Sequence, residues 1–331
     1  MNATWQGPRA WRAMAWAFAL FALAGPGVHA ADEWPRQPIS YIVPFAPGGA
    51  TDILGRVYSQ SIGNSLGAPI VIENRPGTGG SLGSAQAARA KPDGHTLVGG
   101  TISSHAINVS IYPSIGYDPV QSFVPVILTG TLPNVLVVKA DSGIESVEQL
   151  IARAREKKDN LTYGSSGVGS SQHLAGELFE AMVGVEMLHV PYKGSSPSLQ
   201  ALVAGEIDLL FDNITSAVPL IEGGQLRALA VTSSEPSDVL PDVRPLAQQG
   251  LDGYEVVSWQ GVFAPAGTPR PIVDKLHKAM HEALQQPDVQ KRLKALGLTI
   301  SGAGPDEFGR FQKAEVAKWA QVVRKADIKV E

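Results

Sequence analysis

The segment Val43-Pro44-Phe45-Ala46-Pro47-Gly48-Gly49-Ala50-Thr51-Asp52 sets two glycines between a β-branched run and a stretch with helical periodicity. Main chain without Cβ atoms can approach a bound group closely, and a helix N-terminus carries about half a positive charge. The chemistry this suits is the capture of an anion by backbone N–H groups at the carboxyl end of a strand. A tight strand-to-helix turn capped by Thr51 or Asp52 is the alternative. A second loop, Tyr163-Gly164-Ser165-Ser166-Gly167-Val168-Gly169-Ser170-Ser171, repeats the pattern with more hydroxyls, and its alternative is a flexible turn with Ser170 as N-cap. Three further strand ends carry polar groups: Thr101-Ile102-Ser103-Ser104-His105, His189-Val190-Pro191-Tyr192-Lys193-Gly194 and Phe211-Asp212-Asn213.

Several enzyme signatures are missing. Val168 stands where a G-x-S-x-G elbow needs its last glycine, and no Gly-Lys dipeptide exists for a phosphate-binding P-loop. The one G-x-G-x-x-A string, Gly25 to Ala30, falls in the N-terminal leader described below. His277 and His281 lie four apart on a predicted helix without a third ligand, so a solvated helix face is expected there and no metal or other cofactor. Asp208 and Asp212, four apart in a strand, are roughly 13 Å apart along it and make no acid–base pair. The chain has no cysteine, which removes disulfides, thiol nucleophiles and Cys-ligated metals.

The elements that must hold these loops follow a βα rhythm. Strands are expected at 39–43, 69–73, 95–101, 134–139, 161–164, 186–192, 207–212, 226–232 and about 256–264. Helices are expected at 51–66 (closed by Gly67), 146–157, 170–183, 196–204 and 271–285 (ended by Pro287), and from Pro305 onward. That last helix has Phe308, Phe311, Trp319, Val322 and Val323 on its apolar side, as a C-terminal clamp. This is α/β grammar with parallel sheets and helices on both faces.

The chain has 331 residues, 44% of them apolar, enough for about two domains. No linker divides it, so strands must pass between the domains, with Phe123–Val126 and Val256–Phe263 as the candidates. A chain that leaves one α/β domain and returns to it forms a hinged pair around a cleft. The expected division is a first lobe of residues 31–128 and 255–331 and a second of 129–254. At the N-terminus, Arg9 and Arg12 precede an apolar run from Ala13 to Ala24, a Gly-Pro-Gly break and Val28-His29-Ala30. This predicts a signal peptide, residues 1–30, cleaved after Ala30, and an exported soluble product. The run is too short to span a membrane. A net charge of −4 without basic clusters argues against nucleic-acid partners.

Six phrases in sequence order resemble the extracytoplasmic solute receptors of tripartite tricarboxylate transporters, the Bug receptors. Besides residues 44–52, they are Val71-Ile72-Glu73-Asn74-Arg75-Pro76-Gly77-Thr78-Gly79-Gly80, Lys91-Pro92-Asp93-Gly94-His95-Thr96-Leu97, residues 189–194, Leu226-Arg227-Ala228-Leu229-Ala230-Val231-Thr232 and Ala264-Pro265-Ala266-Gly267-Thr268-Pro269. The resemblance implies a periplasmic, monomeric receptor of two doubly wound lobes that closes on a small carboxylate-type ligand and delivers it to a membrane permease. It implies that Phe45, Gly48 and Gly49 face Ser166, Gly167 and Ser170 across the ligand. Thr101, Ser104 and His105 are expected as further lining, with Tyr192 and Asp212 facing the ligand from the second lobe. A buried Asp212 beside a carboxylate is repulsive unless it is protonated, bonded internally or facing an amine or hydroxyl, so it is expected to tune specificity. Two other functions fit the same residues: a ligand sensor feeding a membrane sensor kinase, and a serine hydrolase using Ser104 or Ser166 with His105.

Overall fold

The computed structural model describes residues 1–3, 34–156 and 161–325. Apart from its first three residues, the predicted signal peptide, its cleavage site and the first three residues of the expected first lobe lie outside the described residues.

β1 (Ile39–Val43) leads through the first Gly-Gly loop into α1 (Ala50–Leu66), β2 (Ile70–Asn74), α2 (Ser81–Ala88) and β3 (Thr96–Thr101). β1 pairs in parallel with β2 and β3, Ile39 opposite Ile70 and Tyr41 opposite Leu97. After β3 the chain makes a π turn, Ser103–Ile107, and the short α3 (Asn108–Ile111). β4 (Phe123–Lys139) follows, 17 residues and so about 55 Å long. Then come α4 (Val147–Arg155), β5 (Thr162–Ser165), α5 (Ser171–Val183), β6 (Leu188–Pro191), α6 (Ser195–Ala204), β7 (Leu209–Asn213), α7 (Ile214–Glu222) and β8 (Leu226–Val231). The chain closes with β9 (Val257–Pro265), α8 (Arg270–Gln285), α9 (Pro287–Ala295), β10 (Thr299–Ala303) and α10 (Pro305–Lys325).

β4 belongs to two sheets. Phe123 to Pro133 pairs antiparallel with β9, and part of it with β10. Asn134 to Lys139 runs between β7 and β8. One sheet is therefore β2-β1-β3-β9-β4-β10 and the other β8-β4-β7-β5-β6. The return crossing lies beside the first: Thr232 N–H donates to Asn134 O at 2.9 Å and Val256 N–H to Thr232 O at 2.9 Å.

Two expectations change here. The runs at 123–126 and 134–139 are one strand, hidden in the sequence because Pro125 and Pro133 lie within it. The ladder tolerates Pro125 through a bulge between Pro125 and Ile127, and Pro133 sits where the strand changes sheets. The sheets are also mixed rather than parallel throughout, because the crossing strands and β10 run against their neighbours. Pro287 does end α8, but it also occupies the first position of α9, where a missing N–H costs nothing.

Alternation along β4 divides the core. Val135 and Val137 face a cluster with α1, α6, α7 and α8, while Leu136 and Val138 face one with α5 and the aromatic side of β9 and α10. The apolar side of α10 is buried through Phe308, Trp319 and Val323. Gln312 of α10 donates to the carbonyls of His105 and Pro119, tying the clamp to the π turn.

Candidate ligand cleft

α1 starts after Gly49, and no side chain caps it. Asp52 does not cap it; its carboxylate turns back to accept the Gly48 N–H at 3.0 Å, and Arg56 and Asn74 also bond to it. Burial opposes ionisation of Asp52, but the hydrogen bonds from Arg56, Gly48 and Asn74 prevail and lower its pKa. Thr51 donates to Gln260 Oε1 at 2.9 Å instead of capping. In the second loop Ser170 does cap α5, accepting the His173 N–H at 3.3 Å. The loop is pinned from behind: Gly167 N–H donates to Ser165 Oγ at 3.0 Å, and Ser165 Oγ meets His189 Nε2 at 2.6 Å. His189 stacks on His173, whose Nε2 lies 3.4 Å from Glu177. Burial, with His173 nearby, lowers the His189 pKa to about 3.

The loops meet. Ala46 N–H donates to Lys193 O at 3.2 Å, Tyr112 Oη–H to Val168 O at 2.9 Å, and Ser171 N–H to Ser103 Oγ at 3.1 Å. Between them is a cavity with about 20 Å³ open to the centre of a water-sized sphere, room for about one water. From the first sheet and α1 it is lined by Phe45, Gly49, Ala50, Thr51, Thr101 and Ser103. Ser166, Ser171, Gln172, Ser195 and Asn213 line it from the second sheet and its helices, and Ser258 and Gln260 from β9. A larger hollow of about 600 Å³ lies at the crossing strands, by Thr131–Pro133 and Ser233–Asp238. The smaller cavity is the better candidate, because the first turns of α1, α5 and α6 and the residue before α7 all open onto it.

Of the expected residues, Phe45, Gly49, Thr101 and Ser166 line this cavity; the others do not. Gly48 faces Ser196 of α6. Gly167 packs on Gly79 across the seam, and Tyr192 is half-buried against the core. Ser170 is spent on its cap. Asp212 is fully buried one hydrogen bond behind the cavity, accepting from Ser195 and Gln172. Sequence reading missed Ala50, Thr51, Ser103, Ser171, Gln172, Ser195, Asn213, Ser258 and Gln260; Ala50, Thr51, Ser103, Ser171 and Asn213 stood inside the segments singled out.

Ser104 and His105 point into the protein. Ser104 Oγ lies 2.9 Å from His105 Nδ1, and the imidazole stacks on Phe263 at 4.2 Å, fully buried with Nε2 unpartnered. Burial lowers the His105 pKa to about 3. A histidine whose folded pKa lies below the ordinary 6.5 contributes stability above pH 6.5 and loses it as pH falls toward 3, at about 1.4 kcal/mol per pH unit. His105→Phe keeps the ring stack and removes the titration. Between pH 7 and 5 the wild type should therefore lose about 2 kcal/mol more stability than the variant in urea titrations; parallel losses would refute a neutral buried His105.

His277 and His281 are half-buried against Gly304 and Gly302 beside β10, not on a solvated face as expected. Among the described residues, no group of three or more His, Asp or Glu is placed to hold a metal, and no helix is long and apolar enough to cross a membrane.

Residues 54–328 match the family described as tripartite tricarboxylate transporter family receptor, TctC. BugT of Bordetella pertussis is 36% identical over 301 residues, covering 91% of this chain and 92% of BugT. The chain belongs to the TctC receptor family. The resemblance carried by its six phrases holds, and the two-lobed architecture is that of the family's solved members. MatC of Rhodopseudomonas palustris, solved with bound malate, is 36% identical with a TM-score of 0.84, over 88% of this TctC-family chain and 100% of MatC. R. palustris Rpa4515, solved with adipate, is 38% identical with a TM-score of 0.87, over 90% of this chain and 100% of Rpa4515.

Proposed function

We propose that this protein is a periplasmic receptor that closes its two lobes on a small carboxylate and delivers it to the permease of a tripartite tricarboxylate transporter. The observation that carries this reading is the convergence of helix starts from both lobes on one hydroxyl-lined cavity. α1 enters from the first lobe, and α5, α6 and α7 from the second. Each brings first-turn N–H groups and a partial positive charge, and no Arg or Lys lines the cavity. In this reading an anion is held by oriented dipoles in a low-dielectric space, and the lobes divide where β4 changes sheets at Pro133–Asn134 and the chain returns between Thr232 and Val256.

The malate and adipate bound by the family members above support a carboxylate. The receptor reading without catalysis is supported by the Ser104–His105 pair, which turns away from the cavity, and by Ser166, whose hydroxyl bonds to Ser195 and Gln172 and, among the described residues, to no histidine. Export is proposed from the N-terminal pattern and the family's role.

Thermal unfolding of residues 31–331, refolded to strip carried-over ligand, tests the reading against mono-, di- and tricarboxylates. A ligand at 100 times its Kd adds about 2.7 kcal/mol, roughly 5 °C for a chain of this size. A shift with carboxylates and none with matched amides is expected; no shift with any carboxylate would overturn the assignment.

A further inference from the structure

We infer that the preferred ligand is a carboxylate that also carries a hydrogen-bond donor, an amine or a hydroxyl, received by acceptor atoms that Asp212 orients on the second-lobe wall. This rests on the carboxylate reading above and narrows it to a substrate class.

The argument is a count of protons. Asp212, at the end of β7, is fully buried, and its Oδ1 accepts from Ser195 Oγ at 2.6 Å, the Asn213 N–H at 2.8 Å and Gln172 Nε2 at 3.2 Å. A serine hydroxyl has one proton, and Ser195 commits it to Asp212. With that proton committed, Ser166 Oγ at 3.3 Å is the donor to Ser195, and what Ser195 offers the cavity it lines is its remaining lone pair. Gln172 has two amide protons, one directed to Asp212 and one to Ser166 Oγ at 3.1 Å. Its Oε1 accepts from Ser171 Oγ at 3.4 Å and keeps a second lone pair, again an acceptor. Both side chains line the cavity, so the α5–α6 wall sets side-chain acceptors beside its main-chain N–H donors, where a site for unsubstituted carboxylates alone would present donors only.

Charge points the same way. The groups acting on Asp212 from α5, α6 and the start of α7 are the uncharged Gln172, Ser195 and Asn213, and among the described residues no cation acts on it. Burial raises its pKa to about 6, against the three hydrogen bonds that lower it. Its Oδ2 has no partner. A buried, unneutralised carboxylate one hydrogen bond behind the site disfavours a second bare anion and favours a ligand with a donor or positive charge on that side.

The test compares ligands on one carbon skeleton. Titration calorimetry would be run with succinate, malate and aspartate, and with glutarate, 2-hydroxyglutarate and glutamate, on wild type, Asp212→Asn and Ser195→Ala. In the skeleton that binds tighter, at least one substituted acid should bind at least tenfold more tightly than its parent. Asp212→Asn keeps an acceptor oxygen where Ser195, Gln172 and the Asn213 N–H converge and removes the charge behind the wall, and should reduce that preference below threefold while strengthening the parent. Ser195→Ala, which keeps Asp212 and guards against a folding defect in the first variant, should reduce it likewise. A parent diacid that binds as well as its substituted forms, or a preference unchanged in both variants, would overturn this inference alone. No calorimetric binding of these six, together with no thermal shift from any other carboxylate, would overturn the carboxylate reading and this inference with it.

Discussion

Gly79→Ala should weaken carboxylate binding by about 100-fold while lowering the melting temperature of the ligand-free protein by only a few degrees. Gly79 sits on the first-lobe side of the seam at φ 55° and ψ 30°, and a Cβ there would lie 2.5 Å from Val168 O on the opposing loop. Both sides of that contact are backbone, so neither can rotate away and the seam must part. Parting threatens the bond from Tyr112 to Val168 and that from Ser171 to Ser103. It also threatens the packing of Gly169 on Asn108, whose amide holds Gly79 O at 2.9 Å. At ~1 kcal/mol each, two or three lost contacts amount to ~3 kcal/mol, or about two orders of magnitude in Kd. In the open form the clash disappears, leaving a left-handed alanine at ~1–2 kcal/mol. Gly67→Ala is the control: φ there is 70° with nothing within 4 Å, so it carries the backbone strain without the clash and should leave Kd unchanged. Calorimetry on both variants, with scattering to measure lobe separation, decides the matter. Equal effects would mean that backbone strain, not closure, is what the substitution reports.

This seam also shows how far the residues alone could lead. The two Gly loops were legible as anion-compatible because glycine before a helix start lets main chain approach a ligand, with an ordinary turn as the alternative, and both do meet at the cleft. Which atoms face the cavity was not legible. Loop rotation decides that Gly49 lines it while Gly48 abuts Ser196, and that Ser171 enters while Ser170 is consumed by its cap. His105 illustrates the opposite error: a polar residue after a strand suggested a ligand contact, yet the π turn rotates it onto Phe263. Gln172 and Gln260 gave no signal, since a glutamine in a regular element usually faces solvent.

The same limit applied to the scaffold. Helices with strong apolar periodicity were readable, but α2, whose sequence Ser-Leu-Gly-Ser-Ala-Gln-Ala-Ala has small residues where a stripe would be, was not. Its closeness explains the composition: a Cβ on Gly83 would lie 2.6 Å from Arg75 O. α7 was masked by Pro219 in its interior. The two lobes were readable from the chain leaving one α/β domain and returning to it, and the family resemblance agreed with that reading, because six phrases in order constrain topology far more than any single one.

Trp259→Ala should be the most destabilising of the substitutions considered, by ~3–5 kcal/mol or roughly 10 °C, while leaving ligand affinity within a few-fold of wild type. Side chains alternate along β9: Ser258 and Gln260 line the cavity, so Trp259 between them faces the other side, where it is 1% exposed. There it meets Phe308 and Phe311 edge-on at 5.7 and 5.8 Å, and its Nε1–H donates to Glu315 at 3.2 Å, the carboxylate that also accepts from Trp319. β9 lies between β3 and β4, and α10 rests on its aromatic face, so truncating this ring leaves a cavity bordered by two elements that cannot collapse into it independently. Trp259→Phe retains a ring and loses the Glu315 bond, and should cost less than the alanine change. Thermal unfolding with and without saturating ligand separates the two faces of the strand. A constant ligand-induced shift across all three proteins is expected if site and clamp are independent, and a shift that shrinks with ring size would place the clamp in the closure mechanism instead.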